Sequence, residues 1–147
     1  MPQFTVDLSQ GRPLIDLIVG ASAPRIQALT EAGVSLPSPQ VVRGLIDTGA
    51  SCTCIDPMIC NALGLQPTGT TPMLTPSTGA TPQDADTYDV GIIIPNGQEM
   101  PLLIPVLAVS ASELYVGQGF HVLVGRDILA SCVLIYNGKH PYVTIAY

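Results

Sequence analysis

Basic residues are scarce in this chain of 147, with only five lysines and arginines, and Lys139 is the sole lysine. Phosphate binding needs clustered cations, so this scatter argues against nucleic acid. The net charge of -6 and pI near 4.4 disfavour acidic partners as well. Phosphoryl transfer would need a lysine or Mg²⁺ site and usually a larger α/β domain, which Lys139 alone does not supply. Histidine is equally sparse: His121 and His140 sit in no nucleophile or metal pattern, and no serine has an adjacent base signature, which disfavours a Ser/His hydrolase. The four cysteines (Cys52, Cys54, Cys60 and Cys132) match neither a paired zinc spacing nor a dense secreted framework and read as buried free thiols in a reducing compartment. No apolar run approaches the span of a bilayer, and Met1 is followed by no basic and then apolar leader. The expectation is a soluble, cytoplasmic protein with no metal or organic cofactor and no membrane partner.

What is present is apolar and finely broken. Hydrophobic residues make up 47% of the chain and charged residues 11%, with 14 glycines and 14 prolines, a composition that suits short strands and tight turns better than long surface helices. An all-β class in a single domain, 1–147, is expected. Phe4 to Leu8 alternates as a strand, and Pro13 to Gly20 is a second, more apolar one. Ser22-Ala23-Pro24 opens a short amphipathic helix, with Ile26, Leu29 and Ala32 at three-residue spacing before Gly33. Asp56-Pro57 opens another, which stops at Gly64. Pro67 to Pro82 is a long surface loop or the tip of a mobile hairpin, centred on Thr78-Gly79. Tyr88–Pro95 and Met100–Val109 flank Asn96-Gly97, a two-residue hairpin signal, and the prolines at 95, 101 and 105 mark an edge or a bulge. Asn137-Gly138 predicts a terminal hairpin between Val133–Tyr136 and Tyr142–Tyr147.

The organising stretch is Val41 to Cys52. Val41, Val42, Leu45 and Ile46 describe a buried strand, which then delivers Asp47, Thr48 and Gly49. An ionised carboxylate out of water costs several kcal/mol unless paired or hydrogen-bonded, so it must be compensated or used. Gly49 allows a sharp turn, and its amide and that of Ala50 are candidate donors to the carboxylate. An Asp before Gly is also an ordinary turn former. A second stretch shifts the balance: Val122-Leu123-Val124 enters Gly125, and Arg126 to Ala130 then starts a helix whose Ile128 and Leu129 pack inward.

Leu45-Ile46-Asp47-Thr48-Gly49-Ala50 resembles the active-site signature of the retropepsin-like aspartic proteases, single-lobed homodimeric relatives of pepsin. Val122 to Leu129 resembles their second motif, in the expected order. The resemblance covers residues 10–147, specific at 45–50 and 123–129 and topological elsewhere. It implies an acid-protease barrel with one lobe per chain and one or two short helices, and an aspartic endopeptidase in which Asp47 from each of two subunits activates water. Thr48 would hydrogen-bond across the dimer axis, Gly49 and Ala50 would support the loop, and Thr78, Gly79 and Ala80 would belong to a flap over a peptide or protein substrate. Gly125, Arg126 and Asp127 would form the structural second motif. The chain departs from the viral enzymes at Ser51, where they carry the acid that pairs with the arginine of the second motif, so Arg126 needs another partner, Asp127 or a backbone carbonyl. Its ending is more like that of cellular members. A catalytically silent dimerisation or peptide-binding module of the same fold is the alternative, because fold does not fix function.

Overall fold

The computed structural model describes residues 1–75 and 78–147. Ten strands and four short helices follow one another in the order β1 (Gln3–Asp7), β2 (Leu14–Ala21), α1 (Ala23–Glu31), β3 (Gln40–Ile46), β4 (Cys54–Ile55), α2 (Pro57–Ala62), β5 (Gly69–Met73), β6 (Gln83–Ile94), β7 (Leu102–Ala111), α3 (Tyr115–Gln118), β8 (Val122–Val124), α4 (Arg126–Leu129), β9 (Val133–Asn137) and β10 (Tyr142–Ala146). No helix among them is long and apolar enough to cross a membrane.

A sheet of seven strands runs β2-β3-β8-β4-β7-β6-β5, and β2 also pairs with β6, which closes six of its strands into a barrel and leaves β5 outside. Closure depends on β6 being long enough to serve two neighbours along one edge. Its Gln83–Thr87 half pairs with β5, and Val90–Ile93 pairs with β2. The barrel wall follows a period of two: Ile15, Leu17, Val19 and Ala21 of β2 are buried while Asp16 is exposed. Gly44 of β3 lets Leu17 and Val124 meet over it, since a Cβ there would lie 2.5 Å from Leu17 Cδ2. A smaller sheet, β1-β10-β9, contributes Val6, Val143 and Ile145 to the same apolar cluster that fills the barrel. The all-β expectation and most strand positions hold.

Several local expectations are corrected. The tight turn at Asn96-Gly97 is a longer connection: Ile94 pairs with Leu102, the Glu99 amide donates to the Asn96 carbonyl at 2.9 Å, and Gly97 alone takes a positive φ, +57°. Pro95 and Pro101 have no N–H to continue the ladder inward. The register slips between Val90 and Ile92, opposite Pro105, where a bulge was anticipated. Residues 67–82 contain strand β5, so the hairpin rather than the loop is realised, and positions 76 and 77 of that stretch lie outside the described residues. Helix α1 starts at Ser22 with Pro24 in its first turn as expected, but it buries no residue and Ile26 is 41% exposed. The barrel interior is already filled by strand side chains, so the apolar side of α1 has only the barrel's outer surface to face.

Asp56 caps α2 as its sequence suggests, accepting from the Met58 amide at 3.0 Å, yet it does more. It is buried, and its second oxygen accepts from the Leu114 and Tyr115 amides at 2.9 and 2.8 Å, tying α2 to the start of α3. Burial alone would push this carboxyl up. The Tyr115, Leu114 and Met58 amides and nearby His121 outweigh that and hold it below the usual carboxylate value. A group lowered in the folded state stabilises fully above its unfolded pKa of about 4, and the contribution is lost as pH falls through the folded value. Asp56→Asn is therefore expected to cost about 2–4 kcal/mol near neutral pH, because buried amides lose a charged acceptor. Urea titrations of both proteins should show this gap shrinking below about pH 4. A gap that stays constant with pH would contradict the assignment.

Candidate active site

Asp47 follows directly from β3, and its position is set by the strand pairing and by four hydrogen bonds donated by backbone amides. Leu45 and Ile46 pair in parallel with Leu123 and Val124, and the Asp47 amide extends that ladder by donating to the Val124 carbonyl at 3.0 Å. The Ala50 amide donates to the Asp47 carbonyl at 3.2 Å, closing a turn, and the Gly49 amide donates to Asp47 Oδ1 at 2.8 Å. Ala50 thus bonds the backbone rather than the carboxylate, because the turn directs its N–H back along the chain. Finally the Arg126 amide donates to the Ala50 carbonyl at 3.0 Å. The loop is held at both ends and its side chains stay accessible: Asp47 is half-buried, and Thr48 and Gly49 are exposed.

The second motif lies against this loop. A Cβ on Gly125 would fall 2.5 Å from the carbonyl carbon and oxygen of Cys52 and 2.8 Å from the Thr53 nitrogen, all backbone atoms that cannot step aside. Fully buried Thr53 bridges the two segments: its Oγ1 accepts from the Gly125 amide at 3.1 Å and donates to Asp127 Oδ1 at 2.6 Å, while its own amide donates to Asp127 Oδ2 at 2.8 Å. Asp127 is thereby occupied, and an Arg126–Asp127 pair does not form. Arg126 is exposed, and its side chain has no hydrogen-bond or ion-pair partner among the described residues. The structure brings Asp47–Ala50 and Gly125–Asp127 into one assembly.

Above Asp47 lies a groove of about 1050 Å³. Its floor includes Asp47 and Ala50, one wall comes from Thr71 to Thr75 with Pro82 on the β5–β6 hairpin, and the other comes from Ser112 to Leu114 with Gln118. Thr78, Gly79 and Ala80 occupy the turn of that hairpin, where Gly79 takes φ +62°, and do not line the groove. The wall at 112–118 had no signal in the sequence beyond its apolar neighbours; α3 is one turn long and is set by contacts to Asp56 and by Gly119 at φ +77°. A second concavity, about 360 Å³, lies between Ile26, Leu36, Pro39, Ile93, Leu103 and Pro105, with no titratable side chain on its walls and therefore no acid–base chemistry.

The groove also holds two thiols, Cys52 and Cys54. Burial, together with the neighbouring Cys52, pushes Cys54 up to about 12, so it stays a thiol at neutral pH and is a poor nucleophile. Neither histidine reaches the groove: the His121 ring stacks on Tyr115 at 4.4 Å. Among the described residues, no group of three or more His, Cys, Asp or Glu side chains is arranged to hold a metal ion. Asp47 and Glu113 are the carboxylates among the described residues that line this groove.

A closed six-strand barrel with a few short helices, in which one Asp-Thr-Gly loop packs on a Gly-Arg-Asp turn, is the retropepsin-like acid-protease fold, one lobe per chain. Among solved structures it is similar to a retropepsin-like aspartic protease from Rickettsia conorii, at a TM-score of 0.59 over 97% of this chain and 89% of that one, with 13% sequence identity. No family model matches the chain. No curated protein matches it either.

Two substitutions probe the packing of loop on motif. Gly125→Ala should prevent native folding or cost more than about 3 kcal/mol, since the added methyl meets backbone on both sides. Thr53→Val keeps the shape but leaves the Gly125 amide unpaired and removes one of the two donors to Asp127 Oδ1, the other being the Ile128 amide at 2.9 Å, for an expected loss of about 1–3 kcal/mol with an unchanged denaturant slope. Denaturant midpoints within error of wild type for both would refute the packing described.

Proposed function

We propose that this chain is an aspartic endopeptidase that works as a homodimer, hydrolysing peptide bonds with a water activated by two Asp47 carboxylates, one from each subunit. The observation that supports this most directly is the accessible, half-buried Asp47 at the floor of a groove with the dimensions of a ligand site, on a loop fixed by backbone bonds from both motifs. A single chain supplies one such acid. The chemistry needs two, one ionised to take a proton from water and one protonated to polarise the scissile carbonyl, and a two-fold axis beside Asp47 provides the second.

The exposed Thr48 and Gly49 stand where a second copy's loop would meet the first, and Thr48 is the residue that would bridge the two. The β5–β6 hairpin, with Thr78, Gly79 and Ala80 at its turn, would close over bound peptide and exclude water. The strand at the C-terminal end of the fold, β10, already has β1 on one edge and β9 on the other. A second copy therefore meets an edge other than those of β10, unless β1 or β9 is displaced.

Two carboxylates sharing one site lose their protons in two separated steps, so the pH profile of kcat should be bell-shaped. Cleavage of a peptide library from about pH 3 to 7, beside sedimentation of the same samples, is the direct test. Asp47→Asn should abolish cutting, by a factor of about 10⁴ or more, while leaving the dimer intact. A well-folded dimer that cuts nothing at any pH would instead favour the silent binding module.

A further inference from the structure

We propose that Glu113 selects substrates carrying lysine or arginine next to the cut, so that the substrate class is a basic polypeptide segment. This rests on the endopeptidase reading of the same groove. Apart from Asp47, Glu113 is the only charged residue among the described residues that line it, and no Lys, Arg or His does so. Its carboxylate is exposed and has no hydrogen-bond or ion-pair partner among the described residues.

Its backbone is held on both sides. The Ser112 amide donates to the Ile55 carbonyl at 2.9 Å, the Leu114 amide donates to Asp56 at 2.9 Å, and the Leu114 side chain is buried with Phe120 and Cys54. Arg12 touches the same segment but is engaged elsewhere, donating from Nη1 to the Gln118 carbonyl at 2.9 Å and lying 6.0 Å from the centre of the Phe120 ring. An unneutralised carboxylate is thus carried on a fixed stretch of backbone in one wall of the groove. Met73 and Leu123 also line the groove and offer apolar surface to the stem of a long cationic side chain, whose charged head can reach the acid. Acidic side chains are repelled by the same group.

Two-fold symmetry places one Glu113 in each half of the assembled groove. The preference should therefore appear at two peptide positions, one on either side of the scissile bond.

The test is a positional-scanning library cut by wild type, Glu113→Gln and Glu113→Lys. Wild type should prefer Lys or Arg over Gln by roughly fivefold in kcat/KM at those positions, with the preference weakening as salt is raised. Glu113→Gln should lose the preference, and Glu113→Lys should invert it toward Asp and Glu, which a merely structural role would not do. A basic preference that survives both changes, or none in wild type, overturns the proposal while leaving peptide cleavage as evidence for the endopeptidase. If wild type cuts nothing, the endopeptidase reading fails on its own. Fluorescence anisotropy of the same labelled peptides on Asp47→Asn then decides whether Glu113 selects them: tighter binding of basic peptides that disappears in the double variant with Glu113→Gln supports the selectivity, and equal binding overturns it.

Discussion

The structure depends on one close approach, that of Gly125 to the peptide between Cys52 and Thr53. No side chain larger than hydrogen fits there, because the neighbouring atoms are backbone of the segment just before β4, which is itself hydrogen-bonded through the Thr53 amide and carbonyl. From that contact follow the parallel pairing of β3 with β8, the placement of the Arg126 amide under Ala50, and the Thr53–Asp127 bonds that hold the two segments together. Asp47 inherits its position from these bonds. Its own side chain accepts one hydrogen bond, from Gly49, and among the described residues no cation pairs with it.

The fully bonded and the open acids divide the work. Asp56 and Asp127 are used up by backbone amides and a threonine hydroxyl, and those bonds shape the two segments that border the groove. Asp47 and Glu113 are left open to the groove. A carboxylate whose acceptor sites are filled stabilises structure, whereas one left facing a cavity can exchange protons or meet a ligand. The groove thiol of Cys54 belongs with the first pair: burial keeps it protonated, and its value is in packing against Leu114 and Phe120.

Much of this was legible in the sequence because it is local. Period-two alternation marked β1 and an apolar run marked β2, Asp56-Pro57 and Ser22-Pro24 marked helix starts, and Gly33 and Gly64 do end their helices at positive φ. The Asp47 and Gly125 stretches stood out because an acid and a glycine each follow an apolar strand. What failed locally failed for reasons outside the stretch concerned. Strand β5, Gly-Thr-Thr-Pro-Met, has no apolar alternation of its own and is made a strand by Gln83–Thr87 beside it. Helix α1 has an apolar stripe, but no space remains for it in the barrel.

The sequence by itself determined the all-β class, the acid that a buried strand delivers and the glycine turn that ends a second apolar strand, since these follow from side-chain chemistry and short-range sterics. Tertiary structure alone decided that Thr53, not Arg126, is the partner of Asp127, that residues 112–118 form a wall of the groove, and that Glu113 faces it. The physical reason is distance along the chain. Thr53 and Asp127 are 74 residues apart, and contacts of that span are set by how the whole barrel closes rather than by either residue's neighbours.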